Sequence, residues 1–323
     1  VKQCVLLFLV FIMFTCVCCS PDASFIVETI SPTTKARETT IPVTITYHPT
    51  VEENTTEPSS TPLKPTVSVG IEEEIVEPFT PTSDPLTVTI VYDNIAFDDR
   101  LKTAWGFSAL VEHQGQTLLF DTGGDGPTLI ENMVVLGIDP GKIDHLVLSH
   151  PHGDHTGGLN AVLEYGARPT VYLLPSFPVS FKSRVSSVTE VIEAAPGQMI
   201  TENIFTTGQI IGDVPEQALV IMTDQGLVII TGCAHPGIAK IVEQAQSLFD
   251  EPVHLVLGGF HLIEKSQDEI SAILSDFRRL EVDQVAPCHC TGAQAVEMFA
   301  SEYADNFVRV GLGKVIQFEN VAQ

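Results

Sequence analysis

The sequence is short of positive charge. Lys and Arg number 16 against 41 Asp and Glu, for a formal net charge of −25 over 323 residues. So acidic a surface repels phosphate backbones and argues against nucleic acid as a partner. Long apolar runs are missing too. Val5 to Phe14 is almost unbroken but too short for a comfortable membrane span. Cysteine is scarce outside the N-terminus. Of 7 cysteines, Cys4, Cys16, Cys18 and Cys19 lie in the first twenty residues. Only Cys233, Cys288 and Cys290 remain, which gives little support for a disulfide framework.

The first residues read as a targeting segment, with Lys2 before the apolar run and cysteines followed by Ser20-Pro21 after it. Residues 1–20 are expected to be a signal peptide or lipoprotein leader. The protein is then exported, and either secreted or anchored to the cell envelope, with the leader as its sole link to a membrane. Residues 21–85 hold ten of the 21 prolines, and Lys35, Arg37 and Lys64 face eleven acids. Such material cannot build a core, so a disordered spacer is expected there.

Order is predicted from Leu86 onward, giving one domain over residues 86–323. Strands are predicted at Leu86–Tyr92, Ile143–Leu148, Thr170–Leu174, Val253–Leu257 and Gln284–Pro287. Hairpins are predicted for Phe107–Glu112 with Thr117–Asp121, for Ala218–Met222 with Gly226–Ile230, and for Phe307–Val310 with Lys314–Phe318. Helices are predicted at Pro127–Leu136, Gly158–Tyr165, Ile238–Phe249 and Gln267–Leu280. The two halves repeat one order, strands and hairpins first and helix–strand units after. That suits an α+β fold of two mixed sheets face to face with helices outside.

Chemistry concentrates in Ser149-His150-Pro151-His152-Gly153-Asp154-His155, directly after a buried strand. Imidazole and carboxylate are the usual ligands of zinc and similar ions. Alternate side chains of an extended segment point the same way, so His150 and His152 can grip one ion. Asp154 and His155, around the turn at Gly153, can face a second. Two ions about 3.5–4 Å apart can share an activated water.

His-x-His-x-Asp-His after a hydrophobic strand resembles the metallo-β-lactamase superfamily of metal-dependent hydrolases. Leu118 to Gly123 looks like its first motif, in which Asp121 ends a strand and supports the ligands. Thr231 to Gly237, Gly258 to Leu262 and Pro287 to Gly292 look most like its dihydropterin-type branch, named after a 7,8-dihydropterin-6-methyl-4-(β-D-ribofuranosyl)-aminobenzene-5'-phosphate synthase. The resemblance implies an αββα sandwich with the metal centre at one edge.

On that footing His235 is expected to complete the first ion's shell and His289 the second's, both following strands of the second half. Asp121 is expected to orient a ligand imidazole through its other N–H. Two departures stand out. Gln209 occupies a place where a ligand histidine is usual, and Cys233 stands where a bridging Asp is usual. Cys233 is either a thiolate touching the ions or a small buried residue supporting them. His261, after Gly258-Gly259, is expected to contact substrate or donate a proton, or else to be a core histidine. Cys288 and Cys290 are expected to point away from the ions. Gly123 to Gly126, before a helix, offers N–H groups to an anion or forms a tight turn.

The expected activity is hydrolysis of a small anionic ester or phosphoester by water activated on one or two divalent ions, zinc first, with iron or manganese as alternatives. Asp154 and His261 would be the catalytic side chains. The alternatives are a synthase-type transferase, as the branch name implies, and a metal-binding surface protein without turnover.

Overall fold

The computed structural model describes residues 85–318. The expected leader and most of the expected spacer lie outside the described residues. Among the described residues, no helix is long and apolar enough to cross a membrane.

Two mixed sheets carry the fold. Strands β1 (Leu86–Tyr92), β2 (Ser108–His113), β3 (Gln116–Phe120), β4 (His145–Val147), β5 (Thr170–Leu173) and β6 (Val191–Glu193) follow one another across the first sheet, and β13 (Val315–Phe318) adds to β1. The second sheet holds β7 (Met199–Thr201), β8 (Ile204–Thr206), β9 (Leu219–Thr223), β10 (Gly226–Thr231), β11 (Val253–Gly259) and β12 (Gln284–Cys288), again in chain order. Inward residues of both sheets share one core, with Val88, Ile90 and Phe120 meeting Leu219, Val228 and Leu255.

Helices cover the outer faces. α1 (Gly126–Val135), α3 (Leu159–Tyr165) and α4 (Val179–Ser186) pack on the first sheet, while α2 (Gly153–Thr156) is a single turn at its edge. α5 (Ile238–Phe249), α6 (Gln267–Arg279) and α7 (Ala293–Tyr303) pack on the second. α5 buries Ile238, Ile241, Val242 and Ala245, the spacing of one helix face. α6 starts at a capping box, with Ser266 and Glu269 bonding each other's backbone N–H. Phe260, Phe277 and Phe299 form a cluster beneath α6 and α7, with Phe299 edge-to-face against both others. Burying each such ring contributes about 1.5–3 kcal/mol.

The β2–β3 hairpin turns on Gln114 and Gly115, both at positive φ, as a two-residue type I′ turn requires. The closing hairpin does not form. Phe307 makes a parallel bridge to Val285, and Val315–Phe318 pairs antiparallel with β1 of the other sheet. Leu312 and Gly313 donate to the Ile95 and Ile90 carbonyls, so this segment carries the chain between sheets.

Parallel pairing decides where the chemistry sits. β3 and β4 run parallel, as do β10, β11 and β12. Their carboxyl ends open at one edge of the sandwich, where loops of both halves meet.

Candidate metal centre

The expected metal-site and supporting residues lie on loops leaving these parallel strands. Asp121 follows β3, His150 follows β4, Cys233 and His235 follow β10, His261 follows β11 and His289 follows β12. Four of the nine non-glycine residues at positive φ are Asp121, Ala234, His261 and His289. Backbone strain is therefore concentrated where the ligands converge.

Side chains that could hold an ion form three groups, two of them adjoining and a third, Cys233, His235 and His261, sharing one member with each. The ligand atoms of His150, His152 and His235 lie within 4.8 Å of one another. So do those of Asp154, His155, Cys233 and His289. The His150 and His155 rings, 4.2 Å apart between centroids, join the groups. His150 Nε2 is 3.1 Å from His152 Nδ1. Two nitrogens on one tetrahedral zinc, each about 2.0–2.1 Å from it, stand roughly 3.3 Å apart, so this spacing fits a shared ion. His235 Nε2 and His289 Nε2 are buried without a hydrogen-bond partner among the described residues. Buried imidazole nitrogens are normally satisfied. These unpartnered ring nitrogens, set among other potential ligands, fit a divalent cation.

Asp121 sets the tautomers. His155 Nδ1 donates to Asp121 Oδ2 at 2.7 Å, which leaves Nε2 as a bare acceptor. Ser149 N and Oγ donate to Asp121 Oδ1 and Oδ2, both at 2.7 Å. With its proton so used, Ser149 Oγ accepts from His150 Nδ1 at 2.9 Å, and His150 Nε2 is freed as well. One fully buried carboxylate thus orients a ligand in each group. Gly232 makes room for this: a Cβ there would collide with Ser149 Oγ and lie 2.9 Å from Asp121 Oδ2.

Burial pushes the Asp154 carboxyl up, but the close imidazoles of His289 and His155 overcome it and hold the group well below the usual carboxylate range. Burial pushes His235 down to about 4, helped by His261 and His152. Burial also opposes charge on His155, yet Asp121 beside it raises the imidazole. His261 is raised by its hydrogen bond with Cys290.

Cys233 Sγ stands 3.1 Å from His155 Nε2, among the ligand atoms, and not behind them. The sequence left open whether it touches the ions or supports them; the short turn after β10 puts the sulfur in the nest itself. Gln209 is elsewhere: its Oε1 accepts from Ser176 N at 3.0 Å. His261 is no core residue. It is exposed, with its ring 4.2 Å from that of His235. Cys288 points into the intersheet core. Cys290 does not point away. A 3-10 turn starts at His289 and breaks the alternation, so Cys290 Sγ approaches the Cys233 carbonyl at 3.6 Å. Asp125 caps α1 by accepting from Thr128 N, so the Gly123–Gly126 segment is a capped turn.

Three residues carry the site without having been singled out. Glu216 is fully buried. Its Oε1 accepts from Gly232, Cys233 and Ala234 N, and its Oε2 from His235 N. It shapes the loop that presents Cys233 and His235. Its only trace in the sequence is a Glu-Gln pair set directly before the apolar strand β9. Asn94, two residues beyond β1, bonds His289. Trp105 Nε1 donates to Asp154 Oδ2 at 3.0 Å. As the one tryptophan of the chain, it was visible in composition alone.

The comparisons with known proteins agree with this geometry. The family model described as metallo-beta-lactamase superfamily matches residues 106–244. The chain is 29% identical over 280 residues to a Methanocaldococcus jannaschii protein named 7,8-dihydropterin-6-methyl-4-(beta-D-ribofuranosyl)-aminobenzene-5'-phosphate synthase, covering 71% of this chain and 95% of that one. Among solved structures, Tm1679, a metal-dependent hydrolase of the beta-lactamase superfamily, superposes with a TM-score of 0.61 at 29% identity, over 72% of this chain and 98% of that one. YhfI from Bacillus subtilis shares the fold at a TM-score of 0.56 and 15% identity, over 72% of this chain and all (100%) of that one. With its candidate ligand loops gathered at one edge of an αββα sandwich, this chain is similar to the metallo-β-lactamase superfamily.

Proposed function

We propose that the protein hydrolyses a small anionic ester or phosphoester at a centre of two divalent ions, zinc being the best match to the donors. The observation that carries this reading is the pair of ligand groups, His150, His152 and His235 beside Asp154, His155, Cys233 and His289. When bound, such ions lower the pKa of a water toward about 7 and neutralise charge that builds on the scissile oxygens. Three imidazoles suit the first position, and a mixed carboxylate, imidazole and thiolate set suits the second.

The side chains have separable tasks. Asp154, held ionised, is the carboxylate of the second group, with Oδ2 3.6 Å from His155 Nε2 and 3.5 Å from His289 Nε2. It would take the proton of the attacking water. His261 lies at the mouth of a cavity of about 880 Å³ that reaches His235 and Cys290. Its raised pKa lets it carry a proton to the leaving group. The cavity rim offers both signs, with Lys240, Lys265 and Arg279 against Asp213, Glu243, Glu264 and Asp276. Attraction for an anion therefore comes from the ions at the centre.

A second reading is a condensing transferase, favoured by the name of the Methanocaldococcus jannaschii relative. A screen of phosphomonoester, phosphodiester and lactone substrates with the zinc-loaded protein tests both. Turnover lost in Asp154→Ala supports hydrolysis. A metal-loaded protein inert to all three classes contradicts it and leaves the transferase or a binding role.

A further inference from the structure

Trp105 presents an indole that the proposed chemistry does not use. Its ring centroid is 4.9 Å from that of His289, and Nε1 is tied to Asp154 Oδ2. The ring is therefore held in place by two members of one ligand group. Yet the residue is 51% exposed, and it lines the 880 Å³ cavity, which reaches the centre at His235. Ile263, 58% exposed, lines the same cavity from the loop after β11. Large apolar side chains held open beside a polar centre cost hydration unless a ligand covers them. A cavity of this size suits a small molecule, for which typical pockets run to about 300–1,000 Å³.

We infer that Trp105 is a stacking platform for a flat aromatic ring on the substrate, with Ile263 as a second apolar wall, so that the favoured substrates are esters or phosphoesters bearing an aromatic group next to the scissile bond. The inference rests on the two-ion reading, because the ions must hold the anionic end while the indole holds the ring. A fixed indole has lost its rotamer freedom in advance, so stacking on it costs little further order.

The test compares two non-hydrolysable probes, phenylphosphonate and methylphosphonate, on the zinc-loaded full chain. As the chain has a single tryptophan, its fluorescence reports this site alone in the wild type. Calorimetry reads the variants. Phenylphosphonate is expected to bind about tenfold tighter than methylphosphonate. Trp105→Phe and Trp105→Leu both lose the N–H to Asp154, but only the first keeps a flat ring. Most of the preference should survive in Trp105→Phe and vanish in Trp105→Leu, while methylphosphonate binds both variants alike. A purely structural role would weaken both probes together. Equal binding of the two probes to the wild type, or a preference unchanged in Trp105→Leu, overturns the inference alone. Failure of both probes to bind, with no zinc retained, defeats the two-ion reading and this inference together.

Discussion

Asn94 holds His289 at two points. Its Oδ1 accepts from His289 Nδ1 at 2.9 Å, and its Nδ2 donates to the His289 carbonyl at 3.2 Å, across 195 residues of chain. The first bond turns Nε2 toward Asp154; the second braces a backbone at φ 47°. Asn94→Ala should cut affinity for the second ion by about 10- to 100-fold and leave the first unchanged. Chelator competition with zinc measures both steps, and an unaltered second step would show the clamp to be idle.

Asp121 reaches both groups, so its loss should be felt at both. Asp121→Asn keeps the size but replaces one accepting oxygen with a donor facing the Ser149 hydroxyl or the His155 ring. Zinc affinity should fall at both positions, by about 10- to 100-fold each. Loss confined to one position would contradict the shared orientation.

The gathering of the strand-end imidazoles was legible because residue types suited to a metal stand in short motifs. His150 to His155 lie within one loop, and His235 and His289 each follow an apolar strand. The layers were legible from periodicity, most cleanly in α5, whose burial pattern matches its sequence spacing. Hidden parts depend on contacts across long separations. Nothing local tells Asn94 that it meets His289, or Glu216 that it gathers four N–H groups of residues 232–235. Short elements failed for another reason. β6, β7 and β8 have three residues each, too few for a period to show.

Glu216→Ala would strand four backbone N–H groups inside the fold. Each buried donor left alone costs about 1–3 kcal/mol, partly recovered by relaxation or water, so a loss of roughly 3 kcal/mol or more is expected. Glu216→Gln keeps one accepting oxygen and should lose less. Urea unfolding of the metal-free proteins gives the order, and equal stability of all three would remove Glu216 from its role.

His113 makes the fold sensitive to acid. Burial pushes its imidazole down, with Glu202 opposing, and neither ring nitrogen has a partner among the described residues. The unfolded chain takes a proton near pH 6.5, where folded His113 stays neutral. Stability present above pH 6.5 is then lost as pH falls through the folded value. His113→Phe should flatten that part of the acid limb, read from urea midpoints at pH 7.5 and 5.5. An unchanged slope would mean that His113 finds water or a partner.

Two cation positions are proposed to share this edge. Elemental analysis of the purified chain, its His152→Ala variant and its His289→Ala variant tests this most directly. Two divalent ions per wild-type chain are expected, and about one in each variant, since each substitution breaks a different ligand group. A wild type that retains no metal when dialysed against zinc, or a count of two that neither substitution lowers, would contradict the account.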